Sequence, residues 1–229
     1  MKFIAEIGMN YNGNFSLCYE LIKQVKHSGA DIAKFQLGWR DKPGEINQLD
    51  HKKVLQLIKW CNEFSVEPMF SIISDNAYRI IKKIKIKKIK IASRSLKYDF
   101  NLVSKIIKEN KNKEIIISLG MWNKKNLPFK EKNIKYLWCC SKYPTFNEDL
   151  KKFPKKFTLK NYCGYSDHTI GIDTCLMAIS RGAEIIEKHF TLDKSDNTIR
   201  DHALSATPEE FRLLVELGRE IHKKTLLGI

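Results

Sequence analysis

The chain has no run of apolar residues near the roughly 18 that a membrane-spanning helix requires. Its first residues, Met1-Lys2-Phe3-Ile4-Ala5-Glu6, meet a carboxylate after three apolar positions, too soon for the core of a secretory signal. A cytoplasmic location without membrane contact is therefore expected. The six cysteines, Cys18, Cys61, Cys139, Cys140, Cys163 and Cys175, form no C-x-x-C pair and have no zinc-finger spacing. Reduced, mostly buried thiols with no chemistry of their own are the expectation. No linker, low-complexity stretch or repeat breaks the chain, so residues 1–229 read as one domain.

The net charge of +15 comes without an RNA-binding motif, a zinc module or a helix-turn-helix signature, so nucleic acid is not an expected partner. The densest basic run, KKIKIKKIK at 82–90, alternates lysine with isoleucine and suits elements with one solvated and one buried side. An anionic substrate would gain from the positive field.

What the chain does have is alternation. Short β-rich runs at 3–8, 31–37, 67–72, 88–92, 114–119, 134–140, 162–166 and 183–189 make eight candidate strands. Amphipathic helical patterns fall at 16–28, 51–64, 75–83, 101–110, 172–181 and 208–223. The connections after the fifth and sixth strands are less regular and carry Pro128, Pro144 and Pro154. Strand–helix alternation implies parallel strands with crossovers. Eight units fit a closed α/β barrel, the (β/α)8 TIM barrel, better than an open doubly wound sheet, whose Gly-rich dinucleotide fingerprint is missing after the first strand.

Barrels of this kind gather functional groups at the C-terminal ends of their strands. Here polar side chains sit at those ends with the period of two that places them on one face. The first strand ends on Glu6, Gly8 and the turn Asn10-Tyr11-Asn12-Gly13, and the second carries Lys34 and Gln36. The sixth runs into Ser141 and Tyr143, the seventh into Ser166 and His168, and the eighth into Glu187 and His189. Strands seven and eight are neighbours in a closed barrel, so the two histidines can converge on one ion. Two imidazoles with substrate oxygens and water suit a borderline divalent metal such as Mn²⁺, with Mg²⁺, Co²⁺ or Zn²⁺ as alternatives. Glu6 and Lys34 read either as a cross-strand ion pair or as functional groups. In the second reading Glu6 binds hydroxyls or moves a proton, and Lys34 binds a phosphate or carboxylate or acts as a Schiff-base nucleophile. Arg200-Asp201-His202 lies in the loop after the last strand, where Asp201 can reach substrate or a metal-bound water. Thr207-Pro208-Glu209-Glu210 opens the final helix with N-cap chemistry.

The stretches AEIGMNYNG, AKFQ, KIAS, SLGM, CSKYP, GYSDHTIG, EKHFTLD and RDHALSATPEEF, in this order, resemble the sialic acid synthase family, which includes the N-acetylneuraminate, legionaminic and pseudaminic acid synthases. The pair SDHTIG and EKHFTLD, whose histidines are 21 residues apart, is the most specific part. The resemblance implies an enzyme that condenses phosphoenolpyruvate with an N-acyl hexosamine-type aldehyde around one divalent ion, most characteristically Mn²⁺. It implies His168 and His189 as metal ligands. Lys34, Ser141 and Ser166 would contact phosphoenolpyruvate, with Ser93 and Ser118 near its phosphate. Glu6, Gln36, Tyr143 and Asp201 would line the sugar site, and Glu187 would assist proton handling beside the metal.

Several positions depart from the family pattern. Tyr11 stands where a histidine is usual, Leu119 replaces a threonine, and Arg94-Ser95 replaces a glycine and a glutamate; the loop 37–50 is short. The chain ends at 229, where family members usually continue into a small antifreeze-like domain that reaches a partner subunit's site. The expectation is thus a catalytic barrel without that domain, with a homodimer suggested by the resemblance. Two other readings stay open: a phosphoenolpyruvate-dependent synthase of another keto-deoxy sugar acid, and a weakly active or non-catalytic relative that binds metal and sugar.

Overall fold

Eight parallel strands close on themselves in sequence order, each hydrogen-bonded to the next and the eighth to the first. This is the (β/α)8 barrel that the alternation predicts. The computed structural model describes residues 1–40, 42 and 44–228; positions 41 and 43 of the short loop 37–50, and the chain end at 229, lie outside the described residues.

The strands are β1 Lys2–Gly8, β2 Ile32–Leu37, β3 Glu67–Ile72, β4 Lys88–Ile91, β5 Glu114–Ser118, β6 Ile134–Trp138, β7 Gly164–Asp167 and β8 Ile185–His189. The helices are α1 Leu17–His27, α2 His51–Glu63, α3 Asp75–Lys82, α4 Ser93–Tyr98, α5 Phe100–Glu109, α6 Asp173–Ser180 and α7 Pro208–Leu227. Local chemistry sets the helix starts. The side chains of Asp50, Ser74 and Asp99 accept the backbone N–H groups of Lys53, Ala77 and Leu102, capping α2, α3 and α5. Thr207 and Glu210 form a reciprocal capping box on α7, with Pro208 in its first turn.

One connection differs from the expected pattern, and the two after β5 and β6 are irregular as expected. The segment after β4 holds two helices, because Asp99 caps a second one directly after the six-residue α4. Between β5 and β6 no helix occurs among the described residues, and the segment after β6 carries only a 3₁₀ turn at Asn147–Lys152.

Strand side chains alternate between two apolar environments. Outward residues such as Phe3, Phe35, Phe70, Ile117 and Ile186 join the helices in one continuous core. Inward residues Ile4, Ile32, Met69, Ile116, Leu137 and Ile185, with Cys163, form a separate apolar plug inside the barrel. Below the plug, Lys88 bridges Glu67 at 3.4 Å and Glu114 at 3.5 Å. Above it, the inward side chains become polar. Gly164 is the inward residue of β7 at plug level; a β-carbon there would lie 2.1 Å from the Ile185 carbonyl oxygen, so the close approach of β7 to β8 requires glycine. The six cysteines are free, and five of them are buried.

Candidate active site

Two residues beyond five of the seven plug positions the same strands turn polar. Ile4 gives way to Glu6, Ile32 to Lys34, Met69 to Ser71, Ile116 to Ser118 and Ile185 to Glu187. These side chains are buried, yet they border one cavity of about 640 Å³ that opens at the C-terminal ends of the strands. The cavity brings together all twelve residues singled out above: Glu6, Lys34, Gln36, Ser93, Ser118, Ser141, Tyr143, Ser166, His168, Glu187, His189 and Asp201.

At its floor lie two carboxylates and two ammonium groups. Glu6 and Lys34 are register partners on β1 and β2 and form a close ion pair. Lys34 also lies 3.4 Å from Glu187 Oε2 and donates to Ser71 Oγ at 3.1 Å. Lys90 donates to Ser118 Oγ at 2.8 Å and lies 3.4 Å from Glu187 Oε1, which also accepts from Ser166 Oγ at 2.7 Å. Burial pushes Lys34 down to about 7, against the pull of Glu187. Burial acts to raise Glu187, but Lys34, Lys90 and the Ser166 hydrogen bond outweigh it and hold the carboxyl at about 2. Glu187 is thus an anion held on three sides, suited to accepting and ordering rather than to donating a proton. The remaining oxygen of Glu6, Oε1, is buried with no hydrogen-bond partner. Gly8, at φ +57°, bounds this oxygen: a β-carbon at residue 8 would come within 3.0 Å of it.

Lys90 and Ser71 are site residues that the sequence reading missed. The run 82–90 was expected to expose its lysines on a solvated side, and Lys90 is instead only 2% exposed. The reason is that a barrel strand has no solvated face: one side meets the interior and the other the helices. Period two from Glu67 through Met69 to Ser71, and from Lys88 to Lys90, was the available signal.

The rim holds the histidines. Their rings lie with centroids 5.6 Å apart, and Tyr143 stacks on His168 at 4.1 Å. The Arg200 guanidinium sits 4.5 Å from the centre of the Tyr143 ring and 3.5 Å from Asp201 Oδ1. His168 Nδ1 meets the Cys140 carbonyl oxygen at 2.6 Å, which makes Nδ1 the protonated nitrogen and leaves the Nε2 lone pair toward the cavity. His189 Nδ1 is buried without a hydrogen-bond partner, 4.0 Å from Asp201 Oδ2. Burial drives both imidazoles down, His168 to about 4 with help from His189, and His189 to about 3 with help from Lys34. Both are neutral at physiological pH, the form that ligates a metal. Metal–nitrogen bonds of about 2.1 Å allow two coordinating rings to have centroids up to roughly 6.5 Å apart, so the observed separation fits a shared ion. Among the described residues no group of three or more His, Cys, Asp or Glu side chains is arranged as an ion site.

On the opposite wall, Ser93 accepts the Met121 N–H at 2.7 Å and lies 3.2 Å from Ser141 Oγ. With Ser118 and Lys90 these groups make a donor-rich pocket of the kind that holds a phosphate.

This architecture, and the sequence that builds it, have known counterparts. The chain is 34% identical over 96% of its length to an uncharacterised protein of Methanocaldococcus jannaschii, covering 70% of that protein. It is 33% identical over 99% of its length to the N,N'-diacetyllegionaminic acid synthase of Campylobacter jejuni, covering 78%. The solved N-acetylneuraminic acid synthetase of Leptospira borgpetersenii superposes with a TM-score of 0.80 at 25% identity, over 99% of this chain and 85% of that one. The chain is an enzyme of this acid-synthase group. The NeuB family model matches residues 44–226, most of the barrel including both histidine strands, and the chain belongs to that family.

Proposed function

We propose that the protein joins phosphoenolpyruvate to the open-chain aldehyde of an N-acyl hexosamine, giving a nonulosonic acid of the sialic acid type and phosphate. The observation that supports this most is the division of one cavity into two halves. Neutral histidines line one side, and a lysine–serine cluster lines the other. A divalent ion, Mn²⁺ by preference, bound by His168 and His189 would supply Lewis acidity to the aldehyde oxygen.

The chain's own groups take the remaining tasks. Lys90, Ser118, Ser93 and Ser141 hold the phosphate, and Lys34 and Ser166 face the carboxylate end of phosphoenolpyruvate. C3 of phosphoenolpyruvate bonds to the aldehyde carbon, the C=O π pair moves to the aldehyde oxygen, which takes a proton from solvent, and positive charge is left at C2. Glu187, anionic and fixed by Lys34 and Lys90, stabilises that charge. Water then adds at C2, and Glu6 Oε1 is the free acceptor placed to orient it and take its proton. The tetrahedral intermediate collapses by C–O cleavage, releasing phosphate. Gln36, Tyr143 and Asp201 border the sugar side, where they can hydrogen-bond the sugar hydroxyls; burial raises the carboxyl of Asp201 against the pull of Arg200. The ammonium of Lys34 lies against two carboxylates, and this pairing favours an electrostatic role over a Schiff base.

The test is phosphate release from phosphoenolpyruvate with a panel of N-acyl hexosamines and their 6-phosphates. Turnover that needs both the aldehyde and Mn²⁺ is expected. No turnover with any member of the panel overturns the reading.

A further inference from the structure

Directly behind the two histidines lies an ionic cluster that the reaction does not use. Asp167 precedes His168, Lys188 precedes His189, and the two are register partners on β7 and β8. Strand alternation turns them away from the cavity into the layer under α6, and both side chains are 0% exposed. Lys188 Nζ donates to Asp167 Oδ2 at 2.7 Å and to the Thr169 carbonyl oxygen at 2.7 Å. Asp167 Oδ1 accepts the Thr169 N–H at 2.8 Å and the Tyr165 hydroxyl at 2.7 Å. Thr169 Oγ1 also donates to this carboxylate, at 2.8 and 3.1 Å, and Cys175 Sγ reaches it from α6 at 3.3 Å.

The connectivity singles out one ammonium group. His168 is the apex of a three-residue arch whose two feet, Asp167 and Thr169, are tied to each other by the Asp167–Thr169 hydrogen bonds. Lys188 grips both feet, and its own backbone leads straight into His189. One side chain therefore links the main chain on either side of the first histidine to the residue before the second. Stability alone does not account for such a cluster. Two apolar side chains of similar volume commonly serve a buried position as well as an ion pair or better. What the charged pair adds is a directional constraint on two adjacent strand ends.

We infer that Asp167 and Lys188 are positioning residues that fix the spacing of His168 and His189, and so hold the two imidazoles at the separation one divalent ion requires. The inference rests on the reading of these histidines as a metal pair. Neither residue touches substrate or ion; each acts through the main chain of its neighbour.

Removing one partner strands a buried charge, so single variants test folding rather than positioning. The informative variant is the neutral double D167N/K188M, compared with wild type as full-length protein. Three readouts apply: thermal unfolding without metal, Mn²⁺ binding by calorimetry with the metal alone, and a crystal structure. The unfolding midpoint is expected to stay near wild type or rise, while Mn²⁺ affinity falls by about tenfold to a hundredfold, the scale of losing an outer-layer partner of a metal ligand. Wild-type Mn²⁺ affinity in the folded double variant overturns the inference. If wild type itself binds no Mn²⁺, the metal reading of the site fails instead, and the crystal structure then decides the positioning claim. Histidine rings displaced from their 5.6 Å separation support it, and rings left in place refute it. Should the double variant not fold, D167N/K188Q, which keeps a hydrogen bond between the two positions, is measured against the same outcomes.

Discussion

The inside of the barrel has two layers made by the same strands, and they differ in almost everything except burial. The plug of Ile4, Ile32, Met69, Ile116, Leu137, Cys163 and Ile185 is uncharged and at most 3% exposed. Two residues further along, Glu6, Lys34, Ser71, Ser118 and Glu187 are 2–5% exposed, yet they include three charges. Burial therefore does not mark the functional layer; unmet hydrogen-bonding capacity does. Of the eight buried side-chain polar atoms without a hydrogen-bond partner among the described residues, five belong to Glu6, Glu187, His189 and Asp201 in the mouth. Two of those five, Glu6 Oε2 and Glu187 Oε2, face Lys34 as ion pairs, and Asp201 Oδ1 faces Arg200 at 3.5 Å, which leaves Glu6 Oε1 and His189 Nδ1 as the open positions. Folding alone would disfavour such groups. A layer that keeps them, above one that has none, is arranged for a ligand.

Substitutions in the two layers should separate stability from activity. The largest effect is expected in the rim: His189→Ala or His168→Ala should lower kcat/KM by about 10³-fold or more, since several kcal/mol of Lewis-acid stabilisation is lost. Steady-state kinetics checks this, with circular dichroism confirming the fold. Next, Leu137→Ala in the plug should cost about 2–5 kcal/mol of stability by opening a cavity, with KM for phosphoenolpyruvate unchanged in urea-free assay. Denaturant unfolding measures it; a loss of activity without loss of stability would erase the distinction between the layers. Lys90→Met in the mouth should raise KM for phosphoenolpyruvate about tenfold to a hundredfold, the worth of charge-assisted hydrogen bonds, with a smaller loss of stability because Glu187 keeps Lys34 and Ser166 as partners. If KM holds and the unfolding midpoint drops instead, Lys90 belongs to the scaffold.

A smaller effect concerns pH. His168 and His189 protonate near 4 and 3 in the folded protein against 6.5 for an ordinary histidine. Between these values the unfolded chain binds more protons than the folded one, so the metal-free protein loses stability as pH falls from about 6.5 toward 4. Denaturation midpoints of wild type and H168N/H189N across this window test the sign. The double variant should show a shallower decline, and an equal slope in both proteins would place the titration elsewhere.

Much of this was legible in the sequence because a barrel converts order along the chain into position in space. Glu187 and His189 share a face by strand parity, and β7 and β8 must be neighbours once the sheet closes, so the histidine pair could be placed without coordinates. The same rule placed Lys34 with Gln36. It was not applied to 82–90, where abundant lysine on the way into β4 suggested a solvated side, and Lys90 was lost for that reason. Ser71 was missed because a single serine at the end of an apolar strand carries little signal until its neighbours are known. The short α4 was hidden for a local reason: Ser93-Arg94-Ser95 has no helical hydrophobic period, and the turn forms because Asp99 closes it and opens α5. The Asp167–Lys188 cluster was beyond reach of pattern reading. Parity places Asp167 and Lys188 under the helices, but their pairing with each other and with Thr169 follows only from the register of β7 and β8.

A crystal structure with Mn²⁺ and phosphoenolpyruvate, with anomalous scattering recorded at the manganese edge, tests the central claim most directly. Anomalous density shared by His168 Nε2 and His189, with the phosphate on Lys90 and Ser118, is the predicted result. An ion bound away from both histidines, or phosphoenolpyruvate seated outside the lysine–serine pocket, would contradict the account.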